Sequence, residues 1–497
     1  CLLAVCLIGV GYVTMVRFVG RPSDANDGST PSSQPGNNSS QSGLSSDTAT
    51  SETTDVITDS DTAAGTDKPY DLLGDTVSVY TVNRGHFDEW GGDNLTGEYI
   101  HDMLVVRNNQ VKDLLNCNID ISYSESDDKL TKDVLNLVLS ASGERIIVSA
   151  PAGVTAELLS KGLLSDLNAS ENLDFTASCW DSSMAEALEI GGKLYFAIPL
   201  EVGFGQVAYN QVTFFNKDLC ARAGYEADRL YEMSKNGEWT FDAMRQVAIA
   251  CNDPDNGVWG LNYGQNNCAM FAMVTANGGA YFEVKDGVPY FDGHSQNMLD
   301  AVDYFVKLAK DDKVVYMEGA PGYDDDHPPF VRGKHALMLT YANRAEKMYK
   351  NKKLSYGILM PPKGPAAQDY ISDSNWFTPY CVMKGTKNPA GCVQVIEEYL
   401  RPECGINSSE NQEIFHAECT MYTSDDGSFE TLSDVRSKTK SSSLMSWISV
   451  ATNDSYIGGC FFGSVQNWIK GEGTPAQHYA AVESAVNETV KNMLGAR

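Results

Sequence analysis

The chain has 497 residues, 42% of them apolar, with 24 tyrosines and 18 phenylalanines. That is more than one ordinary core holds, so two lobes plus extra segments are expected. Its 66 acidic and 37 basic residues leave a net charge of −29, which argues against nucleic acid as a partner, because a phosphate backbone needs clustered Lys and Arg. The balance suits a soluble protein working outside the cytoplasm.

The first 20 residues, CLLAVCLIGVGYVTMVRFVG, are almost purely apolar up to Arg17. They read as an export signal or a membrane anchor, with Cys6 or Cys1 as the cysteine that would carry a lipid. Residues 21–69 change character, and Ser, Thr, Asn, Gly, Pro and Asp displace the large apolar residues. Such a stretch buries too little surface to offset its ordering entropy and reads as a disordered tether, with a reach of about 40 Å at roughly 5–6 Å × √n. The twelve cysteines are scattered, with no CxxC and no Cys/His spacing of a zinc site. They read as small buried hydrophobes, and their spacing leaves disulfides open without implying any.

The folded domain is expected over 70–497. DTVSVYTV (75–82) alternates as a strand, DMLVVRNNQVKDLLN (102–116) has helical periodicity, and NIDISYSES (118–126) is a second strand. A helix closed by Gly143 and an apolar strand at 144–151 follow. Strand, helix, strand, helix, strand predicts a parallel sheet with crossover helices. Further on, 192–219 predicts two strands separated by Gly203 and Gly205. The second runs into a short helix with Asn216 as its N-cap and Gly224 as its stop. GEWTFDAMRQVAIACN then opens another helix capped by Thr240, with Phe241, Met244 and Val247 as its apolar stripe. DPDNGVWG (253–260) begins like a calcium loop but lacks the Gly and Glu spacing. The acidic run Asp324–Asp326 beside His327 reads as a solvated loop.

FFNKDLCARAGYE, GEWTFDAMRQVA and GVWGLNYG, in that order, resemble the extracellular solute-binding proteins of ABC sugar importers, the group that includes maltose-binding protein. VTANGGAYFEVKDGVPYFD (274–292), FVRGKHALMLTYANRAEKM (330–348), LSYGILMPPKG (354–364) and WFTPYCVMKGTKNPAGCVQVIEEYL (376–400) continue the series. The resemblance covers about residues 75–495. It implies an α/β, two-lobed periplasmic-binding-protein-like fold of type II, with a hinge and a ligand cleft between lobes. Lobe one would be about 74–202 and 338–371, lobe two about 206–334 and 375–497, with crossings near 200–208, 333–340 and 370–378. It implies binding without catalysis, no cofactor and no metal. The partners would be a solute, a sugar or oligosaccharide by family habit, and a membrane ABC permease. The chain would be a monomer, tethered lipoprotein-fashion to the outer face of a bacterial cell membrane.

A sugar offers flat C–H faces to aromatic rings and hydroxyls to polar side chains. Candidates are therefore aromatic and polar residues beside strand ends and crossings. They are Trp90 in EWGGDN, Trp180 and Asp181 in CWDSS, Glu201 on the first crossing, and Gln265 and Asn266 in GQNNC. Further along stand Tyr341, Asn343 and Arg344 in TYANR, Asn375 and Trp376 in SDSNWF, and Phe461 in the glycine-rich stretch 455–464. Other functions compete with import: a sensor subunit presenting ligand to a receptor, a binder of peptides or another polar solute, and a hydrolase using two carboxylates. No paired acid stands out for the last. No nucleophile elbow, HExxH, phosphate loop or dinucleotide fingerprint occurs.

Overall fold

The structure, a computed structural model, describes residues 71–495 apart from 83–93, 98, 141–143, 151, 170–179, 181–187, 191, 199–203, 264–267, 286–287, 318–326, 375–377, 401–408, 424 and 442–464. The expected signal or anchor, the tether, and both candidate lipid cysteines, Cys1 and Cys6, lie outside the described residues.

Alternation in β1 (Thr76–Val82) divides its side chains between two cores. Val77 and Val79 enter one, and Tyr80 and Val82 the other. Val111 and Leu115 of α1 (Tyr99–Leu115) cover the first face. After β2 (Asn118–Ser124), Leu130 and Val134 of α2 (Asp127–Ser140) cover the second. β3 (Arg145–Ser149) is buried throughout and leads to α3 (Ala152–Ser160). β1 lies between β2 and β3 and is parallel to both, with Val79 opposite Ile121 and Ile147. This is the crossover sheet that the periodicity predicts.

Lobe two opens with a helical turn, α4 (Gly205–Ala208), then β4 (Gln211–Asn216) and α5 (Lys217–Arg222). The Asn216 side chain accepts from the Leu219 N–H at 3.0 Å, and Gly224 takes a positive φ of 86° just past the helix end. α6 (Ala227–Lys235) precedes α7 (Phe241–Cys251), which is capped by Thr240 accepting from the Ala243 N–H at 3.3 Å. Of the two strands expected in 192–219, the described residues form only the second. Residues 193–198 make single bridges, Ile190 with Lys193 and Ala197 with Tyr380, and Gly205 starts a helical turn instead of separating strands.

The lobe continues through β5 (Trp259–Asn262) and α8 (Cys268–Ala276) to a hairpin of β6 (Phe282–Lys285) and β7 (Val288–Phe291). Next come α9 (Gln296–Lys310), β8 (Val315–Tyr316), α10 (His327–Val331), β9 (His335–Tyr341), α11 (Arg344–Met348) and β10 (Tyr356–Leu359). The second sheet has the order β10-β4-β9-β5-β8. β9, β5 and β8 are parallel, and β4 runs against its neighbours β9 and β10. After β11 (Ser372–Ser374), β12 (Tyr380–Val382) returns to the first sheet. There it pairs antiparallel with β3 and completes the order β12-β3-β1-β2. α12 (Pro389–Leu400) packs on that sheet. α13 (Ser409–Tyr422), α14 (Asp426–Lys438), β13 (Thr439–Ser441), α15 (Val465–Lys470) and α16 (Pro475–Gly495) belong to lobe two. There β13 pairs with β11.

Each sheet therefore carries one strand of opposite sense, β12 or β4, and each of these follows directly on a crossing from the other lobe. This is the type II order implied by the resemblance. The lobe limits need two corrections. Residues 380–400, expected in lobe two, are in lobe one, because β12 pairs with β3 and α12 packs on that sheet. Residues 338–371 are not in lobe one, because β9 and β10 pair with β4. The described chain changes lobes between Ile198 and Phe204, between Ser374 and Tyr380, and between Leu400 and Ser409, so no crossing lies at 333–340. The reason is burial: six of the seven residues of β9 are buried, which demands a central place between two strands.

Candidate functional site

The pairing register locates the site. Gln211, the first residue of β4, lies opposite Tyr341, the last residue of β9. Tyr380, the first residue of β12, lies opposite Ser149, the last residue of β3. Both antiparallel strands start at a crossing, so the carboxyl ends of the parallel strands in both sheets lie on the crossing side. Open α/β sheets hold their ligands beyond these ends.

On lobe two this end is a hydrogen-bonded frame. Buried Asn210 donates through Nδ2 to Ser372 Oγ at 3.2 Å, and Ser372 Oγ donates to the Gln211 carbonyl at 2.7 Å. The Ala342 and Asn343 N–H groups donate to the carbonyls of Asn210 and Ala208, both at 2.8 Å. Gln211 is fully buried, and its Nε2 reaches Cys268 Sγ at the start of α8 at 3.5 Å. Asn262, at the end of β5, accepts from the Leu339 N–H at 2.9 Å.

This frame leaves polar capacity unused. Gln211 Oε1, Asn262 Nδ2 and both amide atoms of Gln206 are buried and find no hydrogen-bond partner among the described residues. An unmet buried polar group costs about 1–3 kcal/mol, so Gln211 and Asn262 at one sheet end, with Gln206 in the turn before β4, call for a reason. None of the three is among the sequence-stated candidates, although a signal exists. GFGQVAYNQVTFF places Gln206, Asn210 and Gln211 at the head of a strand whose remaining residues are buried.

Beside the first crossing lies a second group. The Phe204 N–H donates to Glu418 Oε2 at 2.7 Å, and the Phe204 ring meets Tyr422 edge-on at 4.7 Å. Tyr349 meets the same Tyr422 ring at 5.2 Å. Burial, and then the neighbouring Glu418 carboxylate, push Glu346 up to about 7, and burial also raises Glu418.

Four of the twelve candidate contacts are described. Tyr341 is half-buried at the end of β9, and Asn343 is buried just beyond it. Arg344 is 1% exposed and donates to Asn343 Oδ1 at 3.3 Å. These three stand together at the sheet end with Gln211. Trp180 stands apart. It is 3% exposed and packs in the lobe-one core with Val79, Ala197, Tyr380 and Ile396, so its indole fills that core. Trp90, Asp181, Glu201, Gln265, Asn266, Asn375, Trp376 and Phe461 lie outside the described residues. Among the described residues no group of three or more His, Cys, Asp or Glu side chains is placed to hold a metal ion.

Two α/β lobes of the same strand order, joined through repeated crossings, define a two-lobed binding protein. A profile of bacterial extracellular solute-binding proteins matches residues 109–403, more than half of the chain, and the chain belongs to that family. It is a family of binders, not enzymes, and an extracellular one. No curated protein matches the sequence. The fold is similar to that of the cyclic α-maltosyl-1,6-maltose binding protein from Arthrobacter globiformis, at 14% identity and a TM-score of 0.60, covering 84% of this chain and 99% of that one. It is also similar to a galacto-N-biose/lacto-N-biose I-binding protein of an ABC transporter from Bifidobacterium longum, at 14% identity, TM-score 0.55, covering 85% and 98%. A third is an ABC substrate-binding protein from Listeria monocytogenes in complex with cycloalternan, at 15% identity, TM-score 0.54, covering 84% and 99%.

Proposed function

We propose that this protein captures a carbohydrate between its lobes and delivers it to an ABC permease. The observation that carries this is that buried amide atoms of Gln206, Gln211 and Asn262, in and beside the crossing end of the second sheet, find no partner among the described residues. A carbohydrate supplies many hydroxyls in a small volume, each both donor and acceptor, and so meets amide oxygens and nitrogens alike. Several solved proteins of similar fold bind sugars, among them cycloalternan and lacto-N-biose, which supports this class over peptides. Tyr341 and Asn343 extend the polar wall. Trp376, Asn375, Asp181, Glu201, Gln265 and Asn266 are candidates for the remainder. Ligand touching both lobes favours the closed arrangement, a hinge motion. Residues 1–20 act as signal or anchor and 21–69 as the tether that holds a monomeric binding domain near its permease.

The test is a thermal-shift and calorimetric screen of the chain against mono- and oligosaccharides, polyols and short peptides. A ligand at 100 times its dissociation constant adds about 2.7 kcal/mol, and the unfolding midpoint is expected to rise by several degrees with one sugar class. A rise with peptides alone replaces the substrate and keeps the fold. Silence across all classes overturns the proposal.

A further inference from the structure

The β4–α5–α6–α7 module holds two buried cysteines on different helices. Cys220 is in α5 and wholly buried, and Cys251 is the last residue of α7 and 8% exposed. Cys251 Sγ lies 3.8 Å from the carbonyl oxygen of Leu219, the residue bonded to Cys220, and donates to it. The Cys251 thiol therefore reaches the backbone turn of α5 that carries Cys220. The ionisation of the two thiols shows the same closeness. A hydrogen bond from Cys220 holds the Cys251 thiol below its usual range, and Cys220 is correspondingly pushed up, with burial adding to the rise. Cys117, Cys381, Cys392 and Cys419 differ, since burial raises each of them and no second thiol contributes.

We infer that Cys220 and Cys251 form a disulfide in the exported protein, cross-linking α5 to the carboxyl end of α7. The family is extracellular, and disulfides persist in such oxidising surroundings. The oxidant is an external disulfide, of a small thiol or of a thiol oxidase. Cys251, the more exposed and the more easily ionised of the pair, loses its proton and attacks one sulfur of that disulfide. A mixed disulfide forms and one external thiolate leaves. The Cys220 sulfur then loses its proton and attacks Cys251 Sγ, closing the internal bond and releasing the second external thiolate. Those thiolates take up the two protons, so two protein thiols and one external disulfide become one protein disulfide and two external thiols. The link closes the loop from 220 to 251, which contains α6 and Trp239, and removes freedom from the unfolded chain. It is independent of which solute the cleft takes.

The test uses the full chain exported to an oxidising compartment and purified without reductant. Free thiols are alkylated, the protein is digested without reduction, and the peptides are analysed by mass spectrometry. The expected result is one peptide pair joined through Cys220 and Cys251 and lighter than the two free peptides by two hydrogens, which separates on adding dithiothreitol. Reductant is also expected to lower the unfolding midpoint by several degrees in the parent and to leave the Cys220→Ser/Cys251→Ser double variant unmoved. Alkylation of both thiols even after incubation with excess oxidised glutathione overturns the inference. So does a bond from either cysteine to another partner, or a midpoint that falls equally in the double variant.

Discussion

At Gln211 the proposed site sets stability against binding. Its Oε1 is buried and unmet among the described residues, a standing cost that a ligand hydroxyl would remove. Gln211→Met keeps the length of the side chain and deletes the amide, so the free protein is expected to gain about 1–2 kcal/mol. The same change is expected to weaken binding at least tenfold. Unfolding midpoints and calorimetric titration with the ligand found by screening check both halves, and a variant that binds as well as the parent removes Gln211 from the site. Gly260 is decisive for a different reason. A Cβ there would fall inside hard contact with the carbonyl of Ala248 in α7, and backbone cannot swing aside as a side chain can. Gly260→Ala is expected to destabilise by about 1–3 kcal/mol or more, measured as a lower urea midpoint.

Among elements, the α5–α7 module shows how a few anchors order a stretch of chain. Trp239 is wholly buried, its indole N–H donates to the Met360 carbonyl at 3.0 Å, and its own N–H donates to Tyr370 Oη at 3.0 Å. Trp239→Ala is expected to cost about 3–5 kcal/mol. Trp239→Phe is expected to cost less, because Met360 keeps its bond from Thr213 Oγ1 at 3.1 Å. The cap is a smaller matter. Asn216→Ala removes the acceptor for the Leu219 N–H and is expected to cost about 1 kcal/mol, seen as a shift in urea midpoint with unchanged slope. These anchors were legible: Asn216, Gly224 and Thr240 act as their residue types and positions suggest. The first crossover sheet was legible for the same reason, since period two and period 3.6 are local properties.

For the whole molecule, pH acts where lobe two meets the first crossing. The Glu346 carboxyl is raised from 4.5 to about 7, by burial first and Glu418 second, with Lys347 opposing weakly. A raised carboxyl means that the folded chain holds its proton over a range where the unfolded chain has lost it. Stability from this group is therefore complete below about 4.5 and is lost as pH rises through about 7. Midpoints measured from pH 4.5 to 8 are expected to fall across that window and to flatten in Glu346→Gln; an unchanged slope in that variant assigns the fall elsewhere. Asp312 acts in the reverse sense. The Arg245 guanidinium grips it through two hydrogen bonds of 2.6 and 2.7 Å and holds its carboxyl below the usual range, so its contribution is kept above that range and lost in acid.

The sequence by itself determined the class of fold, most of the element order, the caps and turns named above, and the family, because each rests on neighbours in the chain or on a run of matching segments. It did not determine lobe membership. HALMLTY reads equally as a crossing strand or a central one, and only its partners, β4 on one side and β5 on the other, place it in lobe two and move a crossing to the stretch between Leu400 and Ser409. Nor did it single out Gln206, Gln211 and Asn262. Whether a buried amide is satisfied depends on groups that reach it from distant parts of the chain, such as Ser372 for Asn210 and Leu339 for Asn262. That quantity exists only once the sheets have formed, and it is what the proposed site rests on.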